Sequence, residues 1–143
     1  MVSHKYQFIT DPNPGEIKQI MALYREAGWW DDLDNENYEM IRRIVSGSHC
    51  FLTARDENEI VGMGRAISDR VNDAYIQDVI VSPLLRHQGI GTKIVEEIVR
   101  CLYGDNMRWI GLIAQNHTHA FYRKIGFEEM RFSLPMLLTI DHK

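Results

Sequence analysis

No run of apolar residues in this chain approaches the ~18 that a membrane-spanning helix needs. The opening Met1 to Tyr6 is not followed by the apolar stretch of a secretory signal. Cysteine is scarce: Cys50 and Cys101 are the whole supply. They have no close pairing in the sequence, which argues against a disulfide framework and for a reducing, cytoplasmic setting. Positive charge is also short, with 16 Lys and Arg against 20 Asp and Glu and a formal net charge of -4. Sequence-independent binding of nucleic acid wants the reverse, clustered Lys and Arg. Repeats, low-complexity tracts and Gly/Ser linkers are missing, so one domain over residues 1–143 is the simplest organisation.

What is present is the make-up of a globular domain, with 45% hydrophobic and 25% charged residues. A chain of this length buries roughly 68–70% of its unfolded surface, enough for a core of its own. Tyr6 and Phe8 alternate like a strand. Asp11 to Gly15 forms a turn that starts a helix carrying Ile17, Ile20, Met21, Leu23 and Tyr24, stopped at Gly28. A second helix carries Tyr38, Met40, Ile41, Ile44 and Val45, with Asp34 or Asn35 as its cap. Strands are expected over Cys50–Ala54, Ile60–Ile67 and Ala74–Val81, the last ended by Ser82-Pro83. Gly62 and Gly64 mark a bulge or a close-packing point within the middle strand. The strongest helical pattern follows in Ile94, Val95, Ile98, Val99 and Leu102, closed by Gly104. A buried strand over Trp109–Ala114, a short helix over Ala120–Lys124 and two last strands over Phe127–Phe132 and Met136–Ile140 complete the chain. This order predicts an α+β or mixed α/β domain around one sheet.

The segment Val79 to Thr92 is the most informative. A strand runs into a loop, and the loop opens a long amphipathic helix. The first turn of a helix offers unpaired N–H groups and the positive end of its dipole. Gly89 and Gly91 remove Cβ atoms where a ligand approaches, and Arg86 adds a permanent charge. Together they can cradle a pyrophosphate. A Walker loop is excluded because Gly-x-x-x-x-Gly-Lys-Ser/Thr is missing. A dinucleotide fingerprint is excluded because Ile94 stands where a third small residue belongs.

Arg86-His87-Gln88-Gly89-Ile90-Gly91 resembles the Arg/Gln-x-x-Gly-x-Gly/Ala acetyl-CoA loop of the GCN5-related N-acetyltransferases, the GNAT family. Asp78 to Pro83 is similar to that family's fourth strand. Phe121-Tyr122-Arg123-Lys124-Ile125-Gly126-Phe127 resembles its downstream Phe-Tyr-x-Lys-x-Gly-Phe segment, one helix and one strand further on. The element order is similar over nearly the whole chain. The resemblance implies a mixed, mostly antiparallel sheet flanked by about four helices, with the fourth and fifth strands splayed. It implies acetyl-CoA as cofactor, held by Ile80, Val81, Arg86, His87, Gln88, Gly89, Ile90, Gly91, Thr92, Asn116 and Tyr122. In that scheme backbone amides from Gln88 to Thr92 hold the pyrophosphate, and the backbone of Ile80 and Val81 pairs with the pantetheine arm. Asn116 stands in a compact stretch, Gln115 to His119, where family members often carry a cofactor-contacting Asn.

Tyr122 is the implied general acid for the departing thiolate, since a phenol pKa near 10 lies slightly above that of a thiol. Its other reading is a core aromatic with a tethered hydroxyl. Asp78 is the best-placed base for the amine, and equally a cross-strand salt-bridge partner. Asp69 and His49 are weaker candidates for the base. Cys50 reads as a small buried core residue rather than a nucleophile. His117 and His119 lack a third ligand, so no metal is expected.

Trp29, Trp30, Asp31 and Asp32 lie between the first two helices, where the family usually builds one wall of the acceptor pocket. Aromatic rings and carboxylates there suit a small cationic amine. The expected function is therefore transfer of an acetyl group to a primary amine by direct attack. A non-catalytic acyl-CoA sensor or interaction module is the alternative. The small amine is the expected partner, neither nucleic acid nor membrane is, and a homodimer stays open.

Overall fold

The computed structural model describes residues 3–30 and 37–140. The chain divides into two compact units, Met1–Leu112 and Ile113–Lys143. The first unit holds β1 (Lys5–Phe8), α1 (Pro14–Glu26), α2 (Tyr38–Gly47), β2 (Cys50–Asp56), β3 (Glu59–Ser68), β4 (Asp73–Val81), a short 3-10 turn (Pro83–Leu85), α3 (Ile90–Gly104) and β5 (Trp109–Gly111). The second holds α4 (His119–Ile125).

The helices begin where local chemistry satisfies their free N–H groups. Asn13 accepts from Glu16 N–H at 2.8 Å, and the Glu16 carboxylate accepts from Asn13 N–H at 2.9 Å. This reciprocal box starts α1, with Pro14 at the first helical position. Gly28, at φ 77°, follows its end. The cap of α2 is Asn37, whose side chain accepts from Met40 N–H at 3.0 Å. It corrects the expectation of Asp34 or Asn35, both outside the described residues.

The five strands lie in sequence order, antiparallel except for the parallel β4–β5 pair. This is the mixed, mostly antiparallel sheet, in a chain with four helices among the described residues, that the resemblance implied. α1 and α2 place Ile17, Ile20, Tyr24, Ile41 and Val45 in a core shared with Phe51, Met63 and Ile80. Successive residues of a strand face opposite sides. Gly62 and Gly64 therefore face away from Met63, towards α3.

Both glycines are needed there. A Cβ on Gly64 would lie 2.8 Å from Ile94 Cγ2 and 3.0 Å from Ile98 Cδ1, and one on Gly62 would lie 3.1 Å from Ile94 Cδ1. Close packing thus draws α3 onto β3. Gly64→Ala is expected to lower stability by about 1–3 kcal/mol through overpacking. Urea unfolding checks this; a variant as stable as the parent would mean that α3 shifts freely on the sheet.

Two expectations at the C-terminal end are corrected. The strand over Trp109–Ala114 is only Trp109–Gly111, because its pairing with β4 ends at Tyr75↔Gly111. Nor is it uniformly buried: Trp109 and Ile113 are exposed. Among the described residues no strand follows β5, so those expected over Phe127–Phe132 and Met136–Ile140 do not form. A strand needs a hydrogen-bonded neighbour. Between the two apolar runs, Phe132 is left-handed at φ 58°. Pro135 offers no N–H for a ladder. The apolar alternation is present, but Phe132, Met136 and Leu138 are exposed.

Candidate acetyl-CoA and amine site

β4 pairs with β5 only through Asp73, Ala74 and Tyr75, then runs on to Val81. From Ile76 onward its β5-facing edge carries no β5 partner, which is the expected splay. On its other edge β4 is bulged against β3. Met63 faces Ile80 and Arg65 faces Gln77, so Gly64 stands opposite both Asp78 and Val79. The bulge puts Asp78 in the left-handed region, φ 57°. Such a conformation costs about 1–3 kcal/mol in a non-glycine residue and persists where its surroundings hold it.

Two donors hold Asp78. Tyr24 Oη donates to Asp78 Oδ2 at 2.7 Å, and Arg65 Nε donates to the same oxygen at 2.6 Å. The Asp78 and Arg65 side chains are 21% and 17% exposed, so this pair is only partly screened by water. Arg65 also reaches Gln77 Oε1 at 3.3 Å and Ser48 Oγ at 3.4 Å. Burial, and then the Asp78 charge, push the Tyr24 phenol far up, so it stays protonated and donates. The cross-strand salt bridge of the sequence reading is formed.

Tyr24 also ties the tryptophans to this carboxylate. Trp30 stacks on the Tyr24 ring at 4.7 Å and 7°, and Trp29 tilts against it at 6.2 Å and 54°. Trp30 is half-buried against the core, while Trp29 is 41% exposed. Asp31 and Asp32 lie outside the described residues. Sequence reasoning missed Tyr24, which reads as one more apolar position on α1, and assigned no role to Arg65. An ionisable hydroxyl on the buried face of a helix was the available signal for Tyr24.

Beyond Val81 the chain turns through Pro83–Leu85 into the loop ahead of α3. Ser82 N–H donates to Val61 O at 2.8 Å, which anchors the start of that turn to β3. His87 and Gly89 are left-handed at φ 65° and 83°. Gly89 is the N-cap residue of α3 and supplies no side-chain cap. The first intrahelical bond is Lys93 N–H to Gly89 O at 3.1 Å. The amides of Ile90, Gly91 and Thr92 therefore have no intrahelical acceptor. Arg86, His87, Gln88 and Gly89 are exposed. Arg86 Nε donates to Val81 O at 3.3 Å, which brings its guanidinium to the end of β4. An uncapped helix start, a nearby cation and a free strand edge fit a pyrophosphate with an extended amide-bearing arm. The Arg86 bond to Val81 O thus joins the end of β4 to the loop ahead of α3.

In the second unit Tyr122 lies on α4, with Phe121 edge-on at 4.9 Å and Phe127 at 5.9 Å. Burial pushes its phenol up. Its hydroxyl makes no hydrogen bond to a described residue. Gly126, left-handed at φ 118°, caps the helix. Asn116 and His117 are consecutive left-handed residues, φ 53° and 61°, in the turn before α4. Asn116, His117 and His119 are exposed. Asp69 is occupied structurally: its Oδ1 accepts from Val71, Asn72 and Asp73 N–H at 2.8–3.0 Å. Those amides hold its carboxyl below the ordinary value.

The sequence model of the GNAT acetyltransferase domain matches residues 47–129. A histone acetyltransferase from Glycine max, TAP1, is 37% identical over 120 residues, covering 79% of this chain and 52% of that protein. The chloroplastic GCN5-related N-acetyltransferase 2 of Arabidopsis thaliana is 39% identical over 74 residues, covering 52% of this chain and 29% of that protein. The chain thus spans about half or less of the length of these relatives. A probable acetyltransferase from meticillin-resistant Staphylococcus aureus superposes with a TM-score of 0.79 at 23% identity, covering 96% of this chain and 100% of that one.

Proposed function

The chain belongs to the GNAT acetyltransferase family, and from that premise we propose that it transfers the acetyl group of acetyl-CoA to a primary amine. The supporting observation is the β4 edge, free of β5 beyond Tyr75 and leading into the uncapped start of α3. In this reading the amides of Ile90, Gly91 and Thr92 would hold the pyrophosphate, with Arg86 adding its charge, and the backbone of Ile80 and Val81 would align the arm. A backbone N–H near Val81 would stabilise the negative charge that develops on the carbonyl oxygen. When bound, acetyl-CoA supplies an activated thioester carbonyl.

The amine attacks as the neutral base. We assign Asp78 to hold and relay its proton: among the described residues both donors to this carboxylate reach Oδ2, leaving Oδ1 for the incoming group. Tyr24 and Arg65 position it. Tyr122 is assigned the proton donor to the departing sulfur on the strength of the motif it stands in. The raised phenol keeps that proton available at neutral pH.

The acceptor proposed is a small cationic amine, because two tryptophans pack on Tyr24, whose hydroxyl donates to Asp78, and rings with carboxylates favour a cation. Thiol release from acetyl-CoA against a panel of amines tests the reading. A cationic acceptor is expected to show a KM that rises with salt, more steeply for a diamine than for a monoamine. A best acceptor that is neutral or anionic would overturn the acceptor assignment. Binding of acetyl-CoA without turnover on any amine would instead favour a sensor.

A further inference from the structure

At the far end of α3 from the phosphate-binding loop, about 20 Å away along the helix, three chemistry-bearing side chains converge. His49 immediately precedes β2, which begins at Cys50, while Cys101 and Asp105 are one helical turn apart at the end of α3. One ligand atom each from His49, Cys101 and Asp105 lies within 4.8 Å of the others. We propose that His49, Cys101 and Asp105 bind a divalent cation of the zinc class, with water as the fourth ligand.

The donor set supports this choice. Imidazole nitrogen, thiolate sulfur and carboxylate oxygen are the ligands of tetrahedral zinc, whereas calcium and magnesium take oxygen. The spacing is close to what such a site needs. His49 Nε2 lies 2.8 Å from Asp105 Oδ2, and Cys101 Sγ lies 3.9 Å from the same oxygen. Tetrahedral zinc with ordinary bond lengths sets these separations at about 3.4 and 3.6 Å. Movements of roughly half an ångström reach both. The Asp105 side chain is 57% exposed and gives an entry path, while the His49 side chain is 5% exposed and held in place.

The protons balance. Asp105 as carboxylate can only accept, so the neutral imidazole carries its proton on Nε2, and Nδ1 accepts from Ser68 Oγ–H at 2.6 Å. On binding, that proton moves to Nδ1 and is donated to Ser68 Oγ, which frees Nε2 for the metal. Ser68 then orients the ligand from behind, as an outer hydrogen bond does at many zinc sites. Cys101 releases one proton to solvent. Burial pushes its thiol up. A cation would provide the compensating charge. The site is independent of the transfer chemistry proposed above.

The test is cobalt titration of the full chain under a phosphine reductant. A near-ultraviolet thiolate-to-cobalt band with visible bands of tetrahedral intensity is expected, displaced by zinc. Asp105→Asn and His49→Gln are expected to weaken cobalt binding at least tenfold, and Ser68→Ala by about 10–100-fold. Cys101→Ser should lose the thiolate band, while His119→Ala should keep it. Far-ultraviolet circular dichroism confirms folding; Asp105, being exposed, gives a variant that folds even if Cys101→Ser does not. No thiolate band at saturating cobalt, or one unchanged in both Asp105→Asn and Cys101→Ser, would overturn the proposal.

Discussion

Tyr122→Phe is expected to lower turnover by roughly 10²–10⁴-fold, the range typical of a lost general acid. Acetyl-CoA affinity should hold, because the ring still packs against Phe121 and Phe127. The substitution removes only a hydroxyl that is tied to no described residue. Little stability should therefore change, since no hydrogen bond to a described residue is broken. Steady-state kinetics at saturating acetyl-CoA, with a melting curve on the same sample, read both effects. Turnover close to the parent's would remove Tyr122 from the chemistry and leave the proton to water or another acid.

Gly89→Val should weaken acetyl-CoA binding by about 10–100-fold. The position is open, with nothing within 4 Å of an added Cβ, so crowding by the protein is not the cause. The cause is φ 83°, which a β-branched residue resists. Relaxing Gly89 would turn the amides of Ile90 and Gly91 away from a common point. A hydrogen bond to a charged group contributes about 1.5–3 kcal/mol, so misaiming one of them accounts for the range given. Calorimetry reports the affinity. A folded Gly89→Val protein with parental affinity would show that the α3 amides do not hold the phosphates.

The parts of the site legible in the sequence are those written locally. The loop from Arg86 to Gly91 and the helix after it are contiguous, so spacing and periodicity reveal them. Gly62 and Gly64 also declare themselves, because a glycine within a strand marks close approach. The Asp78 cluster was not legible. Tyr24 stands 54 residues from Asp78, and Arg65 stands 13 away across a strand pair. Their meeting depends on the bulge opposite Gly64, and a shift of one residue in register would send Asp78 to the other face. The cap of α2 was missed because Asp34, Asn35 and Asn37 carry equivalent chemistry within four positions. Geometry chose Asn37. The expected last strands failed for a different reason: alternation states which faces differ, but names no neighbour to pair with.

The most direct measurement is product identification after incubating the chain with acetyl-CoA and a cationic primary amine. The account predicts an amine acetylated on nitrogen, formed in a one-to-one ratio with free coenzyme A and suppressed by Gly89→Val. Coenzyme A released with no acetylated amine, or no consumption of acetyl-CoA across the amine panel, would contradict it.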